Sequence, residues 1–306
     1  MRGLIFVLLE VTVMFWNVEN FFDPFDDPLK RDDEFTSTGS RHWTWRRFVR
    51  KRDGIAKTII STSDSYGSLP VIVGLAEVEN RMVLRQLVEK SPLERFGYGF
   101  IHRESPDMRG IDVAMLYRKD AFRVLAVDSL RVKPFPTRDI LYVKGYLAAG
   151  DTVHTLVVHL PSKLGGEKSS DWRRDEALAV LKGCLDSIQA VSPESKIIVM
   201  GDFNDGPESR KEGTIKFQGM WETIDRFMVF NLDVTESVYR PSFLLEEDKT
   251  YLGVKPRRTF IGPRYNGGLS DHLPVVVTVA TDSPRTPLKM VKAPSGESAT
   301  LVLPED

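Results

Sequence analysis

Three stretches of the chain are apolar at nearly every position: "LPVIVGLA" (69–76), "IIVM" (197–200) and "LPVVVTVA" (273–280). A strand with one face in water alternates apolar and polar residues, whereas a strand apolar on both sides needs cover on both faces. These runs therefore exclude a single open sheet and demand layers. Cover is available. Trp45, Phe48, Val49, Ile55, Ala56 and Ile59 recur at helical spacing, with Arg46, Arg47, Arg50 and Lys51 opposite, and "NRMVLRQLVEKSPL" and "DWRRDEALAVLKGCLDSIQAV" also read as helices. "IDVAMLYRK", "FRVLAVDSLRV" and "ILYVKGYLAAGDTVHTLVVHLPS" supply further strands, with "AAGD" as a hairpin turn. The expected class is α/β: two mostly antiparallel sheets packed face to face, with helices outside.

The 306 residues suit one large domain, or two at most, with a sizeable core. Forty-two basic and 43 acidic residues give a formal net charge of -1, so any footprint for nucleic acid must be local. The single cysteine, Cys184, excludes a disulfide framework and a cysteine-based zinc site. Residues 1–10 form a short apolar leader or an extra strand, far below membrane-spanning length, and do not decide the compartment. The expected domain spans 11–281. The Pro- and Ser-rich segment 282–306 reads as a loose tail.

The strands end in one chemical vocabulary. The first carries Asn17, then Glu19 and Asn20. The second carries Glu77, then Glu79 and Asn80. "VVHLPSK" ends in His159, Ser162 and Lys163, "GDFND" delivers Asp202 and Asn204, and "LSDH" delivers Asp271 and His272. Oxygen donors and two histidines, without thiolate, suit Mg²⁺ or Mn²⁺ better than zinc. Such a set is equipped to hydrolyse a phosphate ester: a metal, oriented amide donors, and imidazoles that exchange protons near neutral pH. Each acid taken alone also fits a turn or a helix cap.

The ordered set "WNVENFF", "GLAEVEN", "RGIDVAMLY", "VVHLPSK", "GDFND", "IDRFMV" and "SDHLPV" resembles the endonuclease/exonuclease/phosphatase superfamily over about residues 11–280. Its detailed wording looks most like bacterial members. The resemblance implies a four-layer α/β/β/α sandwich with the active site at one mouth of the two sheets. It implies Glu77 as the main metal-binding carboxylate, Asn17 as an amide holding metal or phosphate, and Asp271 as a contact to metal or water. Asp202 resembles the acid that orients or deprotonates the attacking water, Asn204 the amide that steadies the phosphorus, and His272 the histidine facing the scissile phosphate. His159 resembles a second histidine found in the deoxyribonuclease-like branch, where each histidine has a carboxylate partner that fixes its tautomer and raises its pKa. Asp112 is the candidate partner for His159, and Asp225 for His272. Arg109, Ser162 and Lys163 are candidate phosphate contacts.

The expected activity is divalent-metal-dependent hydrolysis of a phosphodiester, possibly nucleic acid, by in-line attack of water. The alternatives are a phosphatase or phosphodiesterase acting on a small phosphorylated molecule or lipid headgroup, and a binding module without chemistry. "RHWTWRRFVRKR" (41–52) has the aromatic and basic residues to track a single strand, but its helical spacing favours aromatics packed inward and arginines in water. The loops after "GDFND" leave little room for a large recognition insert. No membrane span and no obligate protein partner are expected.

Overall fold

A computed structural model describes residues 9–148, 150–162, 167–209 and 211–281. Lys163, the leader up to residue 8 and the tail 282–306 lie outside these residues. Strand β1 (Leu9–Phe21) leads through helix α1 (Trp45–Tyr66) to β2 (Ile72–Val78). Helix α2 (Arg81–Glu89) follows, then β3 (Tyr98–His102), β4 (Asp112–Arg118), β5 (Phe122–Leu130), β6 (Ile140–Leu147) and β7 (Thr152–His159). Helix α3 (Glu167–Val191) leads to β8 (Lys196–Asp202). The short strands β9 (Glu208–Ser209), β10 (Ile215–Phe217) and β11 (Met220–Glu222) precede β12 (Asp225–Phe230) and β13 (Val234–Val238). Two small hairpins, β14 (Leu245–Glu247) with β15 (Val254–Pro256) and β16 (Phe260–Ile261) with β17 (Arg264–Tyr265), precede β18 (Val275–Thr281).

The strands form a six-stranded sheet, β13-β18-β1-β2-β4-β3, and a five-stranded sheet, β12-β8-β7-β6-β5. Pairing is antiparallel except for β1 with β2 and β7 with β8. Those two parallel pairs need crossovers, and α1 and α3 supply them. Three apolar clusters then separate four layers. Phe48, Ile55 and Ile59 of α1 and Leu84 and Leu87 of α2 pack on Trp16, Val73 and Leu75 of the first sheet. Val13, Phe15, Met115, Val143, Val157, Met200 and Val277 fill the space between the sheets. Ala177, Leu181 and Leu185 of α3 cover Leu156, Val158, Ile197 and Val199 of the second sheet. Residues from both sides of β1, β8 and β18 are buried, as their continuous apolar character requires.

Helix α1 starts at Thr44, whose hydroxyl accepts the Arg47 N–H, and ends at Gly67 with φ 72°. It runs beyond Ile59, the last residue of the helical spacing read in the sequence. Helix α2 is shorter than expected because Pro92 cannot continue it, and residues Pro92–Phe96 form a 3₁₀ turn instead. Asn80 caps α2 by accepting the Met82 and Val83 N–H groups. The segment after "GDFND" is more than a short loop: β9, β10 and β11 make a three-stranded sheet of their own.

Candidate active site

The parallel pairing of β1 with β2 sets Asn17 beside Ala76, next to Glu77. In the second sheet Asp202 pairs with His159 on one side and Asp225 on the other. The two central strands of both sheets thus end at the same mouth. Register breaks follow Asn17 and Ala76, and Glu19, Asn20, Glu77 and Asn204 have φ of 48°, 51°, 61° and 50°. Bulges and left-handed backbone re-aim side chains at a cost of about 1–3 kcal/mol each, a strain that clusters at functional sites. At the end of β8 the chain must also pass close to β7: a Cβ on Gly201 would lie 2.3 Å from the Val158 carbonyl oxygen.

Asn17 joins the two sheets. Its Nδ2 donates to Asp202 Oδ2 at 3.0 Å and to Glu77 Oε1 at 3.4 Å, while its Oδ1 accepts the Glu19 N–H at 3.0 Å. Glu77 Oε2 accepts the Asn20 N–H at 2.8 Å. The "SDH" segment is tied to β1: Ser270 Oγ donates to Asn17 O at 2.7 Å and accepts the His272 N–H, and Trp16 Nε1 donates to His272 O. His272 Nδ1 is 2.7 Å from Asp225 Oδ2. Buried Thr214 locks this pair from β10's side. Its hydroxyl accepts the Ile224 and Asp225 N–H groups, and its carbonyl accepts the Leu273 N–H.

The two histidines differ in charge. Burial alone pulls His272 down, but Asp225, Asp202 and Asp271 outweigh it and hold the ring well above its ordinary pKa, as an imidazolium. His159 is pushed well below its ordinary value by burial, with Arg138, Arg109 and His272 adding repulsion. Its Nε2 is 3.6 Å from Asp202 Oδ2, and its buried Nδ1 has no hydrogen-bond partner. Burial and Asp225 raise Asp202 to about 7, against the pull of His272, Asn17 and the Asn204 N–H. The Asp202, Asp225 and His272 ligand atoms lie within 4.8 Å of one another, and one Asp225 oxygen is buried without a partner. Glu77, Asp202 and Asp225 around a single imidazolium leave an excess of carboxylate that a hard divalent cation would neutralise, so the donor set fits Mg²⁺ or Mn²⁺.

Several expected placements change. Asp112 does not reach His159. It lies on β4 opposite Val78, accepts the Ser105 N–H and hydroxyl, and pairs with His102 Nε2 at 3.2 Å. The His159 pKa therefore moves down, opposite to the expected rise. Asn17 carries its carbonyl toward the Glu19 N–H and its amino group toward the Glu77 and Asp202 carboxylates. Asp271 is turned to Arg258, whose Nη2 lies 2.8 Å from its Oδ2. Asn204 donates its Nδ2 to Leu160 O at 2.8 Å, and its N–H to Asp202 Oδ1. Arg109 is half exposed at the rim, 3.6 Å from Asp107 and within electrostatic reach of His159. Ser162 is half-buried in the loop after β7.

The basic stretch 41–52 is only partly solvated. Trp43 and Phe48 are buried while Trp45 is exposed; Lys51 and Arg52 are buried, contrary to the expected exposed basic face. Lys51 Nζ donates to Thr259 Oγ1 at 2.6 Å and to Glu19 O. Arg47 donates to the Arg41 and His42 carbonyls and lies over the Tyr265 ring. Residues that sequence reasoning passed over also organise the site. Buried Arg138 donates to His159 O, Leu160 O and Asp107 Oδ2, fixing the end of β7. Thr214 and Arg258 were equally silent, because each acts through partners in other elements of the fold.

Solved structures share this fold. Truncated TDP2 of Caenorhabditis elegans superposes with a TM-score of 0.56 at 19% identity, covering 89% of this chain and 97% of its own. The Bacteroides thetaiotaomicron mannosyl-6-phosphatase Bt3783 gives 0.55 at 16% identity, covering 88% and 99%. The human Nocturnin catalytic domain with bound sulfate gives 0.53 at 17%, covering 89% and 93%. No curated protein sequence matches the chain. The model of the Endonuclease/Exonuclease/phosphatase family matches residues 12–218 and 208–281, and with nearly every described residue inside that match, the chain belongs to this family.

Proposed function

We propose that the protein is a divalent-metal-dependent phosphodiesterase that hydrolyses its substrate by in-line attack of water on phosphorus. One observation carries the reading. Asn17 bridges Glu77 to Asp202 at the mouth of both sheets, beside the buried Asp225–His272 pair. Glu77 and Asp202 would hold the ion, which when bound neutralises charge developing on the phosphoryl oxygens. Asp202, held by the Asn17 amide and the Asn204 N–H, orients the attacking water beside that ion. His272, protonated and held by Asp225, donates to a phosphoryl oxygen where negative charge accumulates. Neutral His159 offers an imidazole on the other side of Asp202. The Asn204 N–H holds Asp202 Oδ1 in place, and Asn17 bridges the two carboxylates by donating to both.

A second reading, hydrolysis of a small phosphorylated molecule, is favoured over a nucleic-acid substrate by the 41–52 stretch. Its basic groups are largely spent on the protein itself: Lys51 on Thr259 and Glu19, Arg47 on two carbonyls, Arg52 on Asp53 and Gln86. A stacking track for single strands needs those groups free. Parallel assays with Mn²⁺ on plasmid DNA, RNA, a sugar phosphate and bis-(4-nitrophenyl) phosphate separate the readings. The small esters are expected to turn over; cleavage of DNA or RNA with inert small esters would reverse the order.

A further inference from the structure

Glu19 and Asp271 stand at the same mouth, and a single guanidinium spans them. Arg258 Nε lies 3.4 Å from Glu19 Oε1, and its Nη2 lies 2.8 Å from Asp271 Oδ2. The arrangement is built from below. Glu19 is buried, and its other oxygen accepts the Thr259 N–H at 2.7 Å. Buried Lys51 grips the same two residues, through Glu19 O and Thr259 Oγ1, so α1 holds the 257–259 segment against the end of β1. On the other side, Ser270 ties the Asp271 segment to Asn17. Both carboxylates thus sit beside the metal-fitting residues: Glu19 two positions after Asn17, Asp271 adjacent to His272.

A carboxylate pair at such a mouth needs positive charge. Two-metal hydrolases supply it with a second ion about 3.5–4 Å from the first. Here a fixed cation already lies across both acids. Arginine suits this position because its planar fork matches carboxylates and does not lose its proton. With about half of its side chain exposed at 47%, Arg258 also keeps N–H groups open to a substrate oxygen. Resting on the hydrolase reading above, we propose that Arg258 is the site's resident second cation: it withholds Glu19 and Asp271 from metal, so the site takes one divalent ion, and it meets the substrate phosphoryl group in the place of a second.

Mn²⁺ electron paramagnetic resonance on the full chain, with ion uptake by equilibrium dialysis, tests this. Wild type, R258A and R258Q are compared at saturating Mn²⁺ without substrate, with circular dichroism confirming the fold; R258Q retains polar bulk should R258A fail to fold. The wild type is expected to show magnetically isolated ions. The variants are expected to take up one ion more per chain and to show a spin-coupled pair. A coupled pair in the wild type overturns the proposal, as do unchanged uptake and an isolated signal in a folded variant. Isolated ions in all proteins remove this inference alone, whereas a wild-type chain that takes up no Mn²⁺ removes it together with the hydrolase reading.

Discussion

His272 and His159 sit on opposite sides of Asp202, and the difference between them is one carboxylate. His272 has Asp225 at 2.7 Å and is held protonated; His159 has no partner on Nδ1, is surrounded by Arg138 and Arg109, and is held neutral. Two equally buried imidazoles thus carry opposite charge states because their neighbours differ, and an acid and a base coexist at one pH. A third imidazole, His102, repeats the carboxylate pairing with Asp112 at the outer strands β3 and β4. There the pair is a tie for the 103–111 loop, which also carries Asp107 to Arg138.

The sharpest way to break this contrast is to remove the charged member. His272→Ala is expected to lower kcat by about 10³-fold, the upper range for losing one oriented donor to a developing oxyanion, with circular dichroism unchanged. His159→Gln is expected to cost about 10²-fold, the lower range for proton-transfer groups. Equal losses for the two would erase the difference in role. Asp225→Asn keeps the shape but removes the charge that sustains the imidazolium, and about 10–100-fold is expected, as for other residues that orient a functional histidine. In that variant the His272 ring titrates at lower pH, which NMR of the imidazole reads directly. Asp112→Asn should behave differently: stability falls by about 1–3 kcal/mol in denaturant titration as Ser105 and His102 lose their acceptor, while the folded enzyme keeps activity within severalfold. Loss of activity without loss of stability would place Asp112 in the chemistry after all.

A last contrast is a carboxyl that gains no cation. Glu79 is raised from 4.5 to about 9, by burial first and then by Asp23. A carboxyl raised on folding binds its proton more tightly in the folded state. Its contribution to stability is therefore fully present below 4.5 and is lost as pH rises through about 9. Glu79→Gln should flatten this part of the fall in melting temperature between those limits. A pH profile identical to wild type would show that Glu79 ionises normally.

Much of the fold was legible because its signals are local. Apolar runs at 69–76, 197–200 and 273–280 announce strands covered on both faces, and the polar residues at their ends lie in the same few positions. Asp225 beside His272 was an expectation implied by the family resemblance, and the structure places the two 2.7 Å apart. The partner of Asp112 was not legible. It depends on the β3–β4 pairing and on the turn through Ser105, which place His102 closer than His159. The rotamer of Asn17 depends on the Glu19 N–H, exposed to it by a left-handed backbone that no residue type announces. Arg138, Thr214 and Arg258 are ordinary polar residues in loops or short strands, and their meaning arises from contacts 11 to 239 positions away.

The central claim is that these converging residues make a metal-dependent phosphoester hydrolase, and hydrolysis of bis-(4-nitrophenyl) phosphate with Mn²⁺ tests it most directly. The expected result is turnover by the wild type that a chelator abolishes, that added Mn²⁺ restores, and that folded Asp202→Ala lacks. Turnover indifferent to chelator, or wild-type rates in Asp202→Ala, would contradict it.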